Sequence, residues 1–206
     1  MSLKESGVRL ITADIMKNKS SQFHRVHKDA FSSGQIGSKL WLCEELEKLF
    51  NSIDTVWIYG GWYGVTGFLL LTRNHIKIKN IKSFDLDKDC ESVADMINEN
   101  WVIDNWRFKA FTNNCNNLTF ESDTPDLIIN TSTEHFNNMN WFNNIPKGIM
   151  VALQGNNMPH DDHVIHSANL KQFVDCYPLS KILYRGSKDF VYPEWKFTRY
   201  MIIGRK

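Results

Sequence analysis

The chain has 206 residues, with 24 Lys and Arg against 23 Asp and Glu for a formal net charge of +1. That length suits one domain with its own core, and the balance leaves no basic excess of the kind that holds a phosphate backbone. The four cysteines, Cys43, Cys90, Cys115 and Cys176, are far apart with no C-x-x-C pair, which excludes a zinc knuckle and a disulfide-stapled scaffold. The opening MSLKESGVRLITADIMKNK scatters charge and holds no apolar run, so neither a secretory leader nor a membrane span is expected and the protein is read as cytoplasmic.

Residues 1–37 are read as an N-terminal extension or lid, carrying His24 and His27, and residues 38–206 as the folded domain. From Ser38 to Phe50, SKLWLCEELEKLF sets Leu42, Leu46 and Leu49 on one face with charges opposite, the helical period. TVWIYG then reads as a strand, and VTGFLLLTR, after a cluster of glycines, as a second helix. IKNIKSFDLD is a second strand, and KDCESVADMINENW returns to helical spacing through Cys90, Val93 and Ile97. Further strands fit RFKAFTNN, DLIINTS and GIMVALQG. After a helix at ANLKQFVDCY, the runs SKILYRG and FTRYMIIG are joined by a connection too short for a covering helix, which requires an antiparallel pair. Alternating apolar strands and helices predict an α/β fold: a Rossmann-like doubly wound sheet, mainly parallel, with a C-terminal antiparallel hairpin.

In such sheets ligands sit beyond the carboxyl ends of the strands, where strand order reverses. The residues there are Gly60, Gly61, Trp62, Tyr63 and Gly64 after the first strand, Asp85, Leu86 and Asp87 after the second, Asn113 and Asn114 after the third, and Asn130, Thr131, Ser132, Thr133, Glu134 and His135 after the fourth. Asp85 follows the glycine turn by about twenty residues, the spacing at which a carboxylate takes the hydroxyls of an adenosine ribose. Asp87 is assigned to cap the following helix. A glycine turn with a ribose carboxylate fits a dinucleotide or S-adenosylmethionine (SAM). The dinucleotide fingerprint needs a second glycine where this chain has Trp62, so SAM, which carries no phosphate, fits better. YPLSK, Tyr177 to Lys181, imitates a Tyr-x-x-x-Lys dehydrogenase pair, but Pro178 would break the helix it needs.

The glycine turn, Asp85, DLIINTS and the antiparallel ending together resemble the class I, Rossmann-like SAM-dependent methyltransferases from about Gln35 to Gly204. Within that superfamily, GQIGSKLW, GGWYG, NTSTEH and LQGNNM resemble a group of small methyltransferase-like proteins often found in bacteriophages. The resemblance implies that Gly60, Gly61 and Gly64 underlie the methionine portion, Asp85 takes the ribose, and Leu86 with Asn113 and Asn114 borders adenine. It also implies an acidic residue near the end of the first strand, where this chain has Ile58 and Tyr59. Gln35, Ser38 and Lys39 offer amide, hydroxyl and ammonium donors for the methionine carboxylate, or else Ser38 merely caps a helix. Trp62 and Tyr63 either wall the site or pack into the core.

After the fourth strand, base-amino methylating relatives carry an Asn/Asp-Pro-Pro-aromatic string; here NTSTEHF replaces it, which argues against that device. Asn130, Thr131 and Ser132 are candidate cofactor contacts. His135 is the candidate base, or a structural hydrogen-bonding group. Glu134 is catalytic, reaching the acceptor or the cofactor ammonium, or completes the capping box Thr131-Ser132-Thr133-Glu134. MPHDDHVIH sets His160, Asp161, Asp162, His163 and His166 at spacings a metal could use, but a solvated loop describes them better and no metal is expected. The function expected is methyl transfer to an unidentified O or N nucleophile. A noncatalytic SAM-binding protein and an NAD-dependent oxidoreductase are the alternatives.

Overall fold

The computed structural model describes residues 28–121, 123–192 and 196–206; His24 and His27 lie outside them. Among the described residues the apolar runs become seven strands, β1 (Ser52–Tyr59), β2 (Lys77–Asp85), β3 (Phe108–Thr112), β4 (Leu127–Asn130), β5 (Met150–Asn156), β6 (Lys181–Val191) and β7 (Lys196–Arg205). They form one sheet of order β3-β2-β1-β4-β5-β7-β6. β1 pairs in parallel with both β2 and β4, so strand order reverses beside it, and this is where an open sheet parts to receive a ligand. β7 runs antiparallel to both β5 and β6. The sequence reading paired the last two strands but did not place β7 between β5 and β6.

The helices are α1 (Ser33–Leu49), α2 (Val65–Arg73), α3 (Lys88–Ile97), α4 (Glu99–Val102), α5 (Asn140–Asn143) and α6 (Leu170–Cys176). α1 starts before the expected position: Ser32 is its cap, accepting the Gln35 N–H at 3.3 Å, and the boundary expected between residues 37 and 38 falls inside the helix. Ser38 is therefore not a cap. Leu42 and Leu46 are buried as the period requires, but Leu49, in the last turn, is exposed. No helix among the described residues is long and apolar enough to cross a membrane.

Because successive strand side chains point to opposite faces, the sheet supports two cores. Val56 and Ile58 of β1, Leu127 and Ile129 of β4 and Met201 and Ile203 of β7 join residues of α1, α2 and α3 on one face. Trp57, Tyr59, Ile128, Val151, Leu153 and Ile202 join Trp141, Phe142 and Phe173 of α5 and α6 on the other. Tyr59 stands where the resemblance implied an acid, and it is fully buried in the second core, with its ring against Phe84 and Trp141.

One close approach locks α2 to the sheet. A Cβ on Gly67 would lie 2.5 Å from the ring of Phe108, which is fully buried and has nowhere to swing. Gly67→Ala should cost about 1–3 kcal/mol of stability, measured by urea unfolding. An unchanged midpoint would mean that α2 can shift away from β3 freely.

Candidate cofactor and acceptor site

The glycine turn is held by backbone and carboxylate bonds. The Gly61 N–H donates to Phe84 O at 3.0 Å and the Gly64 N–H to Gly61 O at 2.9 Å. The Trp62 N–H donates to Asp85 Oδ2 at 2.7 Å, and the other oxygen of Asp85 accepts from the Asp87 N–H at 3.0 Å. Asp85 thus ties the turn after β1 to the end of β2, and burial raises its pKa above the ordinary carboxylate value. Gly61 lies so close to β2 that a Cβ there would stand 1.9 Å from Ser83 Oγ.

Trp62 adopts a left-handed φ of 47° and stacks on Tyr63, with ring centroids 4.9 Å apart. Tyr63 belongs to the core beneath α1, α2 and α3, and half-buried Trp62 packs against that same core. Asp87 caps α3 as expected, accepting from the Asp89 N–H at 2.9 Å. Leu86 is 73% exposed, a large apolar side chain left in solvent beside Asp85. The Asn113 N–H donates to Asp85 O at 2.8 Å, and Asn114 Oδ1 accepts from the Asn116 N–H at 2.9 Å. The sheet therefore brings Asp85, Leu86, Asn113 and Asn114 together at one corner.

A second group forms where α1 crosses the ends of β4, β5 and β7. Asn130, Glu134, Asn156, Arg199, Ser38 and Lys39 are all buried. Asn130 Oδ1 accepts from the Ser132 N–H at 2.9 Å, and the Ser132 hydroxyl lies 3.5 Å from Gly60 O, linking the segment after β4 to the glycine turn. Arg199 Nη1 donates to Thr131 O at 2.8 Å and stands 3.7 Å from Glu134 Oε1, which also accepts from Asn156 Nδ2. The capping box is not formed: Glu134 turns to Asn156 and Arg199, and the short 3-10 turn at Thr133–His135 has no side-chain cap. Asn130 Nδ2, Glu134 Oε2 and Arg199 Nε have no hydrogen-bond partner among the described residues. Buried polar atoms left unsatisfied at the end of a sheet are atoms that a ligand would satisfy.

Of the three donors expected from α1, Lys39 reaches this group. Its Nζ donates to Gln35 Oε1 at 2.5 Å, and burial, reinforced by the Arg199 charge, lowers its pKa to about 7. The Ser38 hydroxyl is occupied, donating to Gln35 O at 3.0 Å, while Ser38 O accepts from Gln154 Nε2 at 3.0 Å.

His135 is exposed and its ring meets His163 edge-on at 4.8 Å. His163 is half-buried: its Nδ1 lies 2.8 Å from Met158 O, and burial pulls its pKa below the ordinary imidazole value. The loop carrying it is fastened to the segment after β4, because the Val164 and Ile165 N–H groups both donate to Glu134 O, at 2.8 and 3.2 Å. Asp161, Asp162, His160 and His166 stay exposed.

No family model matches the sequence, and no curated protein matches it. Solved structures do. N-methyltransferase NodS from Bradyrhizobium japonicum WM9, in complex with S-adenosyl-L-homocysteine, aligns at TM-score 0.65 and 9% identity over 92% of this chain and 98% of that one. Magnesium protoporphyrin IX methyltransferase ChlM from Synechocystis PCC 6803, with bound SAM, aligns at TM-score 0.57 and 10% identity over 95% and 96%. Geranyl diphosphate methyltransferase, in complex with geranyl diphosphate and sinefungin, aligns at 0.60 and 12% over 83% and 77%. The fold is that of the class I methyltransferases.

In this class I fold the antiparallel β7 delivers a residue that the sequence reading missed. Arg199 pairs with Asn156 across β5 and β7, so both stand at the same end of the sheet as Glu134. The available signal was a lone arginine within the apolar run FTRYMIIG and an asparagine at the end of GIMVALQGN.

Lys39 gives a test of the buried group. Its pKa is near 7 when folded and about 10.5 in the unfolded chain, so between those values the folded state binds fewer protons and stability rises with pH. Lys39→Met should stabilise the protein below pH 7, with the gain shrinking as pH climbs toward 10.5. A Tm difference that stays constant across that range would show an ordinary lysine.

Proposed function

We propose that this protein binds S-adenosyl-L-methionine along the ends of β1 to β4 and transfers its methyl to an oxygen or nitrogen of an acceptor presented beside Glu134 and His135. The observation that carries this is a set of three unpartnered buried atoms on charged or amide side chains, Asn130 Nδ2, Glu134 Oε2 and Arg199 Nε, at the carboxyl end of a sheet whose first turn is glycine-rich and whose second strand ends in Asp85. The SAM and S-adenosyl-L-homocysteine bound in the solved structures of the same fold support it.

Asp85 is the ribose acceptor in this assignment, because a carboxylate holding two N–H groups keeps lone pairs for hydroxyl donors. Leu86, Asn113 and Asn114 border adenine. Gly60, Gly61 and Gly64 bring backbone against the methionine portion, with Trp62 at its rim. Asn130, Thr131 and Ser132 line the other side. Lys39, with Gln35 beside it, meets the methionine carboxylate.

A diphosphate cofactor fits the same turn less well. Three of its N–H groups, those of Gly61, Trp62 and Gly64, already have protein acceptors, and Trp62 stands where the pyrophosphate would press on the backbone. SAM supplies an activated methyl on a sulfonium, so the protein's own task is alignment and control of the acceptor's proton. Glu134 and His135 perform the second part. The acceptor is a small molecule or a macromolecule of a host cell.

Two substitutions test this. Asp85→Ala should weaken SAM binding by about tenfold or more in calorimetry, with NAD showing no binding. Retained SAM affinity, or a preference for NAD, would overturn the assignment. His135→Ala, at an exposed position, should leave SAM affinity unchanged and lower kcat by roughly 10²–10⁴. Tight SAM binding with no turnover by the parent protein would make it a noncatalytic SAM-binding protein.

A further inference from the structure

One carboxylate oxygen of Glu134 and one ring nitrogen each of His135 and His163 lie within 4.8 Å of one another. Three features make this more than a chance meeting of polar side chains. Glu134 is 3% exposed and its Oε2 has no hydrogen-bond partner among the described residues, so a buried carboxylate oxygen awaits a cation or a donor. Its other oxygen is fixed by Asn156 Nδ2, with Arg199 behind it, an outer shell of the kind that holds a ligating carboxylate in place. His163 Nδ1 faces Met158 O, which can only accept; the proton must sit on Nδ1, and the lone pair is left on Nε2.

The geometry points to a divalent transition-metal site formed by Glu134, His135 and His163, which binds the hydroxyl of the methyl acceptor. Two neutral imidazoles with one carboxylate suit Zn²⁺ rather than Mn²⁺, Mg²⁺ or Ca²⁺, which prefer oxygen-rich shells. Ligand atoms around a four-coordinate zinc stand roughly 3.3 Å apart, so the widest pair must draw in by at most about 1.5 Å. The exposed His135 ring can make that movement, while His163 is anchored by Met158 O and its loop by the two bonds to Glu134 O.

Three protein ligands leave positions open. An acceptor hydroxyl at one of them gives its proton to solvent near neutral pH, in the field of the ion. This rests on the methyl-transfer assignment above and narrows its acceptor to a hydroxyl compound. His135 then serves by holding the ion.

The test begins with the metal alone. Apo-protein titrated with Zn²⁺ should bind one equivalent per chain, with Mn²⁺ and Mg²⁺ far weaker. Glu134→Gln, which keeps the acceptor for Asn156, and His163→Ala should each weaken binding on the order of tenfold or more, while His160→Ala should not. Absence of stoichiometric binding, or binding indifferent to Glu134→Gln and His163→Ala, would overturn the site. Calorimetry with SAM separates the two assignments. SAM binding without metal binding sinks the ion alone, and metal binding without SAM binding sinks the methyl-transfer assignment and, with it, the acceptor role given to the ion.

Discussion

A buried carboxylate is costly unless its oxygens find partners, and the end of the sheet is arranged around that constraint at Glu134. Arg199 supplies the opposite charge from β7, Asn156 supplies a hydrogen bond from β5, and Thr131 O takes a second bond from Arg199. Removing Glu134 would leave Asn156 Nδ2 without this acceptor, and removing Arg199 would leave the carboxylate without its ion-pair partner. The antiparallel insertion of β7 is what allows it: a parallel neighbour would present its carboxyl end here, whereas β7 brings the beginning of its chain, and Arg199 with it, opposite Asn156. A buried ion pair is weak support for stability in itself. Its consequence here is geometric, since it fixes the segment after β4 relative to β5.

The glycine turn poses the converse problem of fitting bulk into a tight space. Gly61 cannot carry a side chain because β2 is too near. The chain then has to turn sharply, and Trp62 takes a left-handed φ that L residues rarely adopt. Its N–H is captured by Asp85, and its ring lies on Tyr63 against the core of α1, α2 and α3. A strained residue persists where its surroundings over-determine it, and here the bond to Asp85 and a stacked ring do so. The bulky side chain is tolerated in the turn because it leaves the turn at once.

Much of this was legible in residue order. Alternating apolar strands and helices gave the parallel sheet, the short final connection gave the antiparallel strands, and Cys90, Val93 and Ile97 mark the buried face of α3 as their spacing requires. The corner at Asp85, Leu86, Asn113 and Asn114 could be placed because each follows a strand, and parallel strands end on one side. What escaped depends on contacts remote in sequence. Whether Thr131 to Glu134 formed a capping box turned on residues 156 and 199, and no local pattern encodes them. Ser32 rather than Ser38 caps α1: its hydroxyl takes the Gln35 N–H and the helix already runs through buried Gly34 and Ile36, which the run of charges around residue 45 does not reveal. His163 is one of five polar loop residues in MPHDDHVIH, and the bonds from Val164 and Ile165 to Glu134 O, remote in sequence, fasten its loop against the segment after β4.

The two halves of the sheet are held together differently, and this bears on how a fold shared at 9% identity can carry different side chains at its open end. β1 and β2 define a tight corner through backbone contacts, a glycine that cannot change and a carboxylate that holds two N–H groups, so substitution there is punished by loss of structure. The segments after β4 and β5 are also held by backbone bonds, from Val164 and Ile165 to Glu134 O and within the turn at Thr133–His135. Those bonds are indifferent to the side chains at His135, His160 and His163. The loop side chains at this end can therefore vary without unfolding the protein, up to the limit set by the buried Glu134–Arg199 pair.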